Sequence, residues 1–152
     1  DNANVGISAA SDDNIVFGKG GWLTLEFIAK IKGGALVYTL NVYDAHVFVT
    51  GNACGGFPTD VMLECTPPAD NTGEWVSPEF TASGELRAYI QVGDRDWWRT
   101  EFTLKNGSEI FFREVTDIPS SWEDALGADY SVAASAGKRL YVSFDSGTGS
   151  VK

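Results

Sequence analysis

At 152 residues the chain is long enough to bury one core, and 43% hydrophobic with 21% charged residues is the composition of a globular protein, not a disordered one. A net charge of −10 keeps the chain soluble and repels phosphate backbones and anionic headgroups, so it speaks against nucleic acid and membrane surfaces and suits a neutral ligand. No apolar run approaches the roughly 20 residues of a transmembrane segment. With neither an initiator Met nor a signal peptide, the sequence reads as a mature form or an excised piece, whose removed start could carry an export signal or lipid anchor.

Period-2 alternation organises the chain from its first turn signals onward. The acidic Asp12-Asp13-Asn14 resembles part of a calcium loop but completes no such motif, so a solvated turn is expected. After Gly18-Lys19-Gly20-Gly21, residues 22–31 place Leu23, Leu25, Phe27, Ala29 and Ile31 on one face. The pattern predicts a half-buried strand, with Trp22 in the core. Gly33-Gly34 turns the chain into a second run over 35–40. The next strand, 47–50, follows the single histidine, His46, which lacks partners at metal-ligand spacing.

The Gly-rich stretch 51–56 carries Cys54, and Cys65 follows with ten residues between them. A disulfide there would pin the loop, contribute about 2–3 kcal/mol and imply an oxidising compartment. Two buried thiols are the alternative. Residues 61–64 form a short strand, and Trp75 reads as a core strand residue. After Ser83-Gly84, residues 85–92 alternate with Leu86, Ala88, Ile90 and Val92 inward. Runs over 100–104 and 109–113 flank Asn106-Gly107, a hairpin signal because both residues tolerate positive φ. Residues 120–126, behind Pro119 and with Ser120 or Ser121 as cap, predict the one short helix. The last strand, 138–145, turns Leu140, Val142 and Phe144 inward before a turn at Gly147-Thr148-Gly149. Many short strands with frequent turns predict an all-β sandwich. Residues 21–40 and 137–151 share an order of glycine, alternating strand, turn and strand. On that echo, residues 1–40 are the end of a preceding module or further strands of this one, and 41–152 are a complete sandwich.

Catalytic motifs are missing. No serine sits in a Gly-x-Ser-x-Gly turn, no glycine loop precedes a helix, and no cofactor or metal is implied. Glu101 and Glu109 lie near aromatics, as a glycosidase pair would, but charged strand-edge positions explain them. Asp94-Arg95-Asp96-Trp97-Trp98-Arg99 is more informative. Strand neighbours face opposite ways, so at most one of two adjacent tryptophans enters the core. Sugar rings offer apolar C–H faces to aromatic rings and hydroxyls to polar neighbours. Trp97 and Trp98 with Arg95 and Arg99 supply both contacts, and Trp122 is a second candidate platform.

Val47-Phe48-Val49-Thr50-Gly51-Asn52-Ala53 followed by Gly55-Gly56-Phe57 resembles the opening strand and loop of SusE/SusF-type modules of Bacteroides starch-utilisation systems. Leu86 to Val92 leading to Trp97 resembles their central strand and aromatic loop, and Gly137 to Asp145 their closing strand. The resemblance covers 41–152. Phe57 stands where that family often has Trp, and the cysteine pair is no hallmark of it, which weakens starch itself as the expected ligand. The resemblance implies an antiparallel β-sandwich of immunoglobulin-like or carbohydrate-binding-module type, non-catalytic, lipid-anchored outside the outer membrane. It would retain a polysaccharide on aromatic platforms beside other glycan-uptake proteins. It supports Trp97, Trp98 and Arg99, and less directly Trp122. The competing expectation is a structural or adhesive sandwich, a spacer or pilin-like domain, with both adjacent tryptophans buried or in a protein interface.

Overall fold

Alternation sets the strands, and among the described residues every pairing between them is antiparallel. The computed structural model describes residues 7–9, 14–57, 61–113 and 121–152, and these divide between two compact units, Asp1–Ala45 and His46–Lys152. The Asp12-Asp13 turn and the Pro119-Ser120 helix entry lie outside the described residues.

In the first unit, β1 (Ile7–Ala9) pairs with β2 (Ile15–Phe17). The strands β3 (Leu23–Lys32) and β4 (Ala35–Asp44) form a hairpin in continuous register from Leu23↔Asp44 to Lys32↔Ala35. Gly33 and Gly34, at φ 60° and 81°, make the two-residue turn that such a hairpin requires. Leu25, Phe27 and Ile31 do share one face, but they are 55%, 66% and 80% exposed, and Trp22 is only half-buried. This corrects the expected half-buried strand. Alternation gives a strand an apolar face, but a second layer must cover that face before it is buried.

The second unit contains β5 (Val47–Thr50), β6 (Leu63–Glu64), β7 (Trp75–Val76), β8 (Gly84–Glu85) and β9 (Arg87–Ile90). It continues with β10 (Glu101–Lys105), β11 (Glu109–Phe112), α1 (Trp122–Leu126), β12 (Ala133–Ala134), β13 (Leu140–Ser143) and β14 (Thr148–Val151). Eight of these strands form one sheet in the order β6-β5-β9-β10-β11-β14-β13-β7, while β8 pairs with β12. Thr66, just past β6, exchanges backbone hydrogen bonds of 2.8 and 3.0 Å with Val76 of β7. The two edges of the sheet therefore meet, and the sheet curls on itself into the all-β sandwich the sequence implied.

Curling encloses one face. Val49, Ala88, Phe102, Leu104, Leu140 and Val142 are at most 4% exposed and project into it. Burying each larger member contributes about 1.5–3 kcal/mol. Trp75 lies here too, edge-on to Phe144 at 6.4 Å. The β10–β11 turn is Asn106-Gly107 with φ 53° and 71°, as expected. The last turn falls at residues 144–147, earlier than expected, and Gly149 sits inside β14. A Cβ there would lie 2.7 Å from Leu104 Cδ2 and 2.8 Å from the Tyr141 carbonyl oxygen, so only glycine lets β14 approach. Ser121 caps α1 by accepting from the Asp124 amide at 3.1 Å.

Cys54 and Cys65 are two buried thiols, not the expected bridge. Their loop is held without one. The Gly51 and Gly56 backbones bond each other at 2.6 and 3.1 Å, and Thr50 Oγ1 donates to the Gly56 carbonyl at 2.9 Å. Burial pushes the thiols up to about 11 and about 12, so both stay protonated and inert at neutral pH.

Candidate functional site

The outer face of the curled sheet is where the molecule departs from a simple sandwich. Register puts Thr50, Arg87, Tyr89, Glu101, Thr103 and Arg113 on that face. A solvated face would expose them, yet Arg87 is 4% exposed and Glu101 0%. A buried carboxylate is tolerated only when its lone pairs are filled. Glu101 fills them with three donors. Its Oε1 accepts from Arg87 Nε and, at 3.0 Å, from Trp122 Nε1; its Oε2 accepts from Arg113 Nη1 at 3.0 Å. Glu85 adds a second carboxylate, 3.8 Å from Arg87 Nη1, and accepts from the Trp122 amide at 3.2 Å. Burial holds the Glu85 carboxyl above its ordinary value, against the opposing pull of Arg87 and of that amide.

Above this layer runs the segment of the tryptophan pair. Gly93 takes φ 50°, and Gln91 Nε2 donates to the Gly93 and Arg95 carbonyls at 2.6 and 3.3 Å. The chain then enters a single 3₁₀ turn, Trp97–Thr100, closed by the Thr100 hydroxyl donating to the Ile90 carbonyl. Neither tryptophan is fully buried; both are half-buried. Trp97 rests on Tyr89 at 5.8 Å between ring centroids, with the Arg87 guanidinium 5.5 Å from its ring. Trp98 has two guanidinium neighbours, Arg99 at 4.6 Å and Arg113 at 5.2 Å. The sequence expectation rested on strand geometry. The 3₁₀ turn leaves both residues half-buried by a different route.

The other expected site residues divide. Arg95 and Arg99 are exposed beside the pair, and Arg99 Nε lies 3.5 Å from Asp96 Oδ2. Trp122 is 0% exposed, so it is no platform, a correction to the sequence reading. Its indole N–H is spent on Glu101, and its ring meets Phe111 edge-on at 6.3 Å. Phe57, 37% exposed, lies 6.0 Å from the Arg87 guanidinium. Glu101 is likewise no strand-edge charge. With three donors on its oxygens and no surface, it has nothing to offer a glycosidic bond. Sequence reasoning missed Arg87, Glu101 and Arg113 as a unit. Their one signal was charged residues alternating with apolar ones, which reads equally as a solvated face. His46 pairs with Glu64 at 2.6 Å, both half exposed. Among the described residues no group of three His, Cys, Asp or Glu could hold a metal, and no helix is long and apolar enough to cross a membrane.

The second unit is thus a curled antiparallel sandwich with two adjacent half-buried tryptophans flanked by exposed arginines. The sequence profile described as SusF/SusE starch specific CBMs matches residues 46–150. The chain belongs to the SusF/SusE family of non-catalytic carbohydrate-binding modules. It is 32% identical over 91 residues to the outer membrane protein SusF of Bacteroides thetaiotaomicron, a match that takes in 57% of this chain and 16% of that protein. It also superimposes on the crystal structure of SusF from Bacteroides thetaiotaomicron with a TM-score of 0.73 over 99% of this chain and 32% of the other, at 23% identity. The chain thus spans a small part of the relatives it matches.

Proposed function

We propose that residues 46–152 bind a starch-like polysaccharide on Trp97 and Trp98 and thereby retain it at the outer face of an outer membrane. One observation carries this reading: two adjacent tryptophans, both half-buried, on one short turn between exposed arginines. Each ring can take the apolar face of a sugar while Arg95 and Arg99 donate to its hydroxyls. In a spacer or adhesive domain both rings would be buried or closed in an interface. The relatives' outer-membrane location supports the placement. A lipid anchor and neighbouring glycan-uptake proteins belong to the same proposal. The order of glycine, strand, turn and strand that residues 21–40 share with residues 137–151 supports reading the first unit as the end of a preceding module.

Single-site affinity should be modest, with micromolar to millimolar dissociation constants, about −8 to −4 kcal/mol. Native affinity electrophoresis in gels containing soluble starch polymers tests the proposal. Wild type should be retarded. Trp97→Ala and Trp98→Ala, shown folded by circular dichroism, should each lose at least about tenfold in affinity. Retardation unchanged in both variants would overturn it.

A further inference from the structure

We propose that Glu101 is the positioning residue of the glycan platform, holding Trp97 and Trp98 in their binding orientation through Arg87 and Arg113. The inference rests on the platform reading above. One carboxylate bonds both arginines, and each arginine packs against a different tryptophan: Arg87 lies 5.5 Å from the Trp97 ring and Arg113 5.2 Å from the Trp98 ring. The two arginines come from opposite sides of the turn in sequence, one on β9 and one just past β11. Backbone bonding ties the same residues together, since the Arg113 amide donates to the Glu101 carbonyl at 2.8 Å.

Stability alone does not explain this arrangement. Apolar side chains of similar volume commonly replace a buried ionic cluster without loss, because the charges must be desolvated. What an apolar cluster cannot supply is a planar guanidinium fixed at a set distance from each ring. Arg99, the other cation on Trp98, is exposed, and its ion pair with Asp96 is a surface one that fixes the guanidinium weakly. Arg113 is held. Its side chain is 8% exposed, and its partner Glu101 is fully buried. A platform fixed before the ligand arrives pays less ordering entropy on binding.

Glu101→Gln keeps the shape and removes the charge that draws both arginines. Arg113→Lys keeps the charge and removes the planar group. Three readouts are taken on each variant: the melting temperature, the near-ultraviolet circular dichroism of the tryptophans, and the dissociation constant for soluble starch well below the melting temperature. Glu101→Gln should bind about tenfold more weakly with an altered tryptophan signal, and Arg113→Lys should weaken binding and alter that signal too, although it keeps the charge. A merely structural Glu101 would lower the melting temperature and leave affinity within twofold in the folded variant, which would overturn the proposal. If Glu101→Gln does not fold, Arg113→Lys decides: affinity and tryptophan signal both unchanged would overturn it. Trp97→Ala and Trp98→Ala run alongside. Loss of binding there with none in Glu101→Gln would refute positioning alone. Binding retained in both tryptophan variants would refute the platform and the positioning together.

Discussion

In the β3–β4 hairpin every second side chain of β3 is apolar, and Phe27 and Ile31 are the two most exposed large hydrophobic side chains among the described residues. In β9 and β10 the alternate positions hold Arg87, Tyr89, Glu101 and Thr103, and all four are buried. Pattern and burial run opposite ways in the two regions. The difference lies in what covers each face. The outer face of β9–β10 carries the 3₁₀ turn of Trp97, the helix of Trp122 and the Met62 side chain, whose sulfur accepts from the Tyr89 hydroxyl at 3.0 Å. A polar face can be a core layer if every group in it finds a partner.

The largest test of that contrast is Trp122. Trp122→Ala should cost about 3–5 kcal/mol, read from urea denaturation, because it opens a cavity and removes a donor from a buried carboxylate. Trp122→Phe restores most of the volume but not the N–H, and should still cost about 1–3 kcal/mol. A loss below about 1 kcal/mol for the alanine variant would mean that the outer face is not a core layer.

The reach of the sequence follows from the same contrast. Local features were legible because local chemistry decides them. Asn106-Gly107 can hold two positive φ values, Ser121 can cap, and Leu140 and Val142 can fill an inner face. The tryptophan pair was legible as an anomaly of composition, two large rings among charges. Trp122 and Glu101 were misplaced because their fate depends on each other. One indole N–H and one carboxylate, 21 positions apart, each need the other in order to be buried. The exposed β3 face was misread for the complementary reason, since nothing within a strand states whether a second layer will cover it.

Burial also leaves its mark on protons. The Cys65 thiol is pushed by burial from 9.0 to about 12, and Tyr89 from 10.0 to about 12. The folded chain therefore keeps protons that the unfolded chain releases above pH 9. Unfolding is favoured as pH rises through that window, and the stability present at lower pH is lost. Cys65 alone should cost about 1.4 kcal/mol per pH unit between pH 9 and its folded value. Urea denaturation at pH 8.5, 9.5 and 10.5 checks this. Cys65→Ala should flatten the slope by about that amount, and equal slopes in the two proteins would refute the assignment.

The smallest expected effect lies in the hairpin. Phe27 stacks on Tyr38 at 5.3 Å between centroids, on the face that also carries Ile31. Removing a cross-strand aromatic contact costs about 0.2–1 kcal/mol when the ring is otherwise in water. Phe27→Ala should therefore speed amide exchange in β3 and β4 by no more than about fivefold and leave exchange in β9 and β10 unchanged. A loss above about 2 kcal/mol would carry a different meaning. A ring that is 66% exposed cannot be worth that much to a two-stranded hairpin, so such a loss would show that something covers this face in solution. The pattern of β3 would then have been right about burial, and the contrast with β9–β10 would reduce to which layer does the covering.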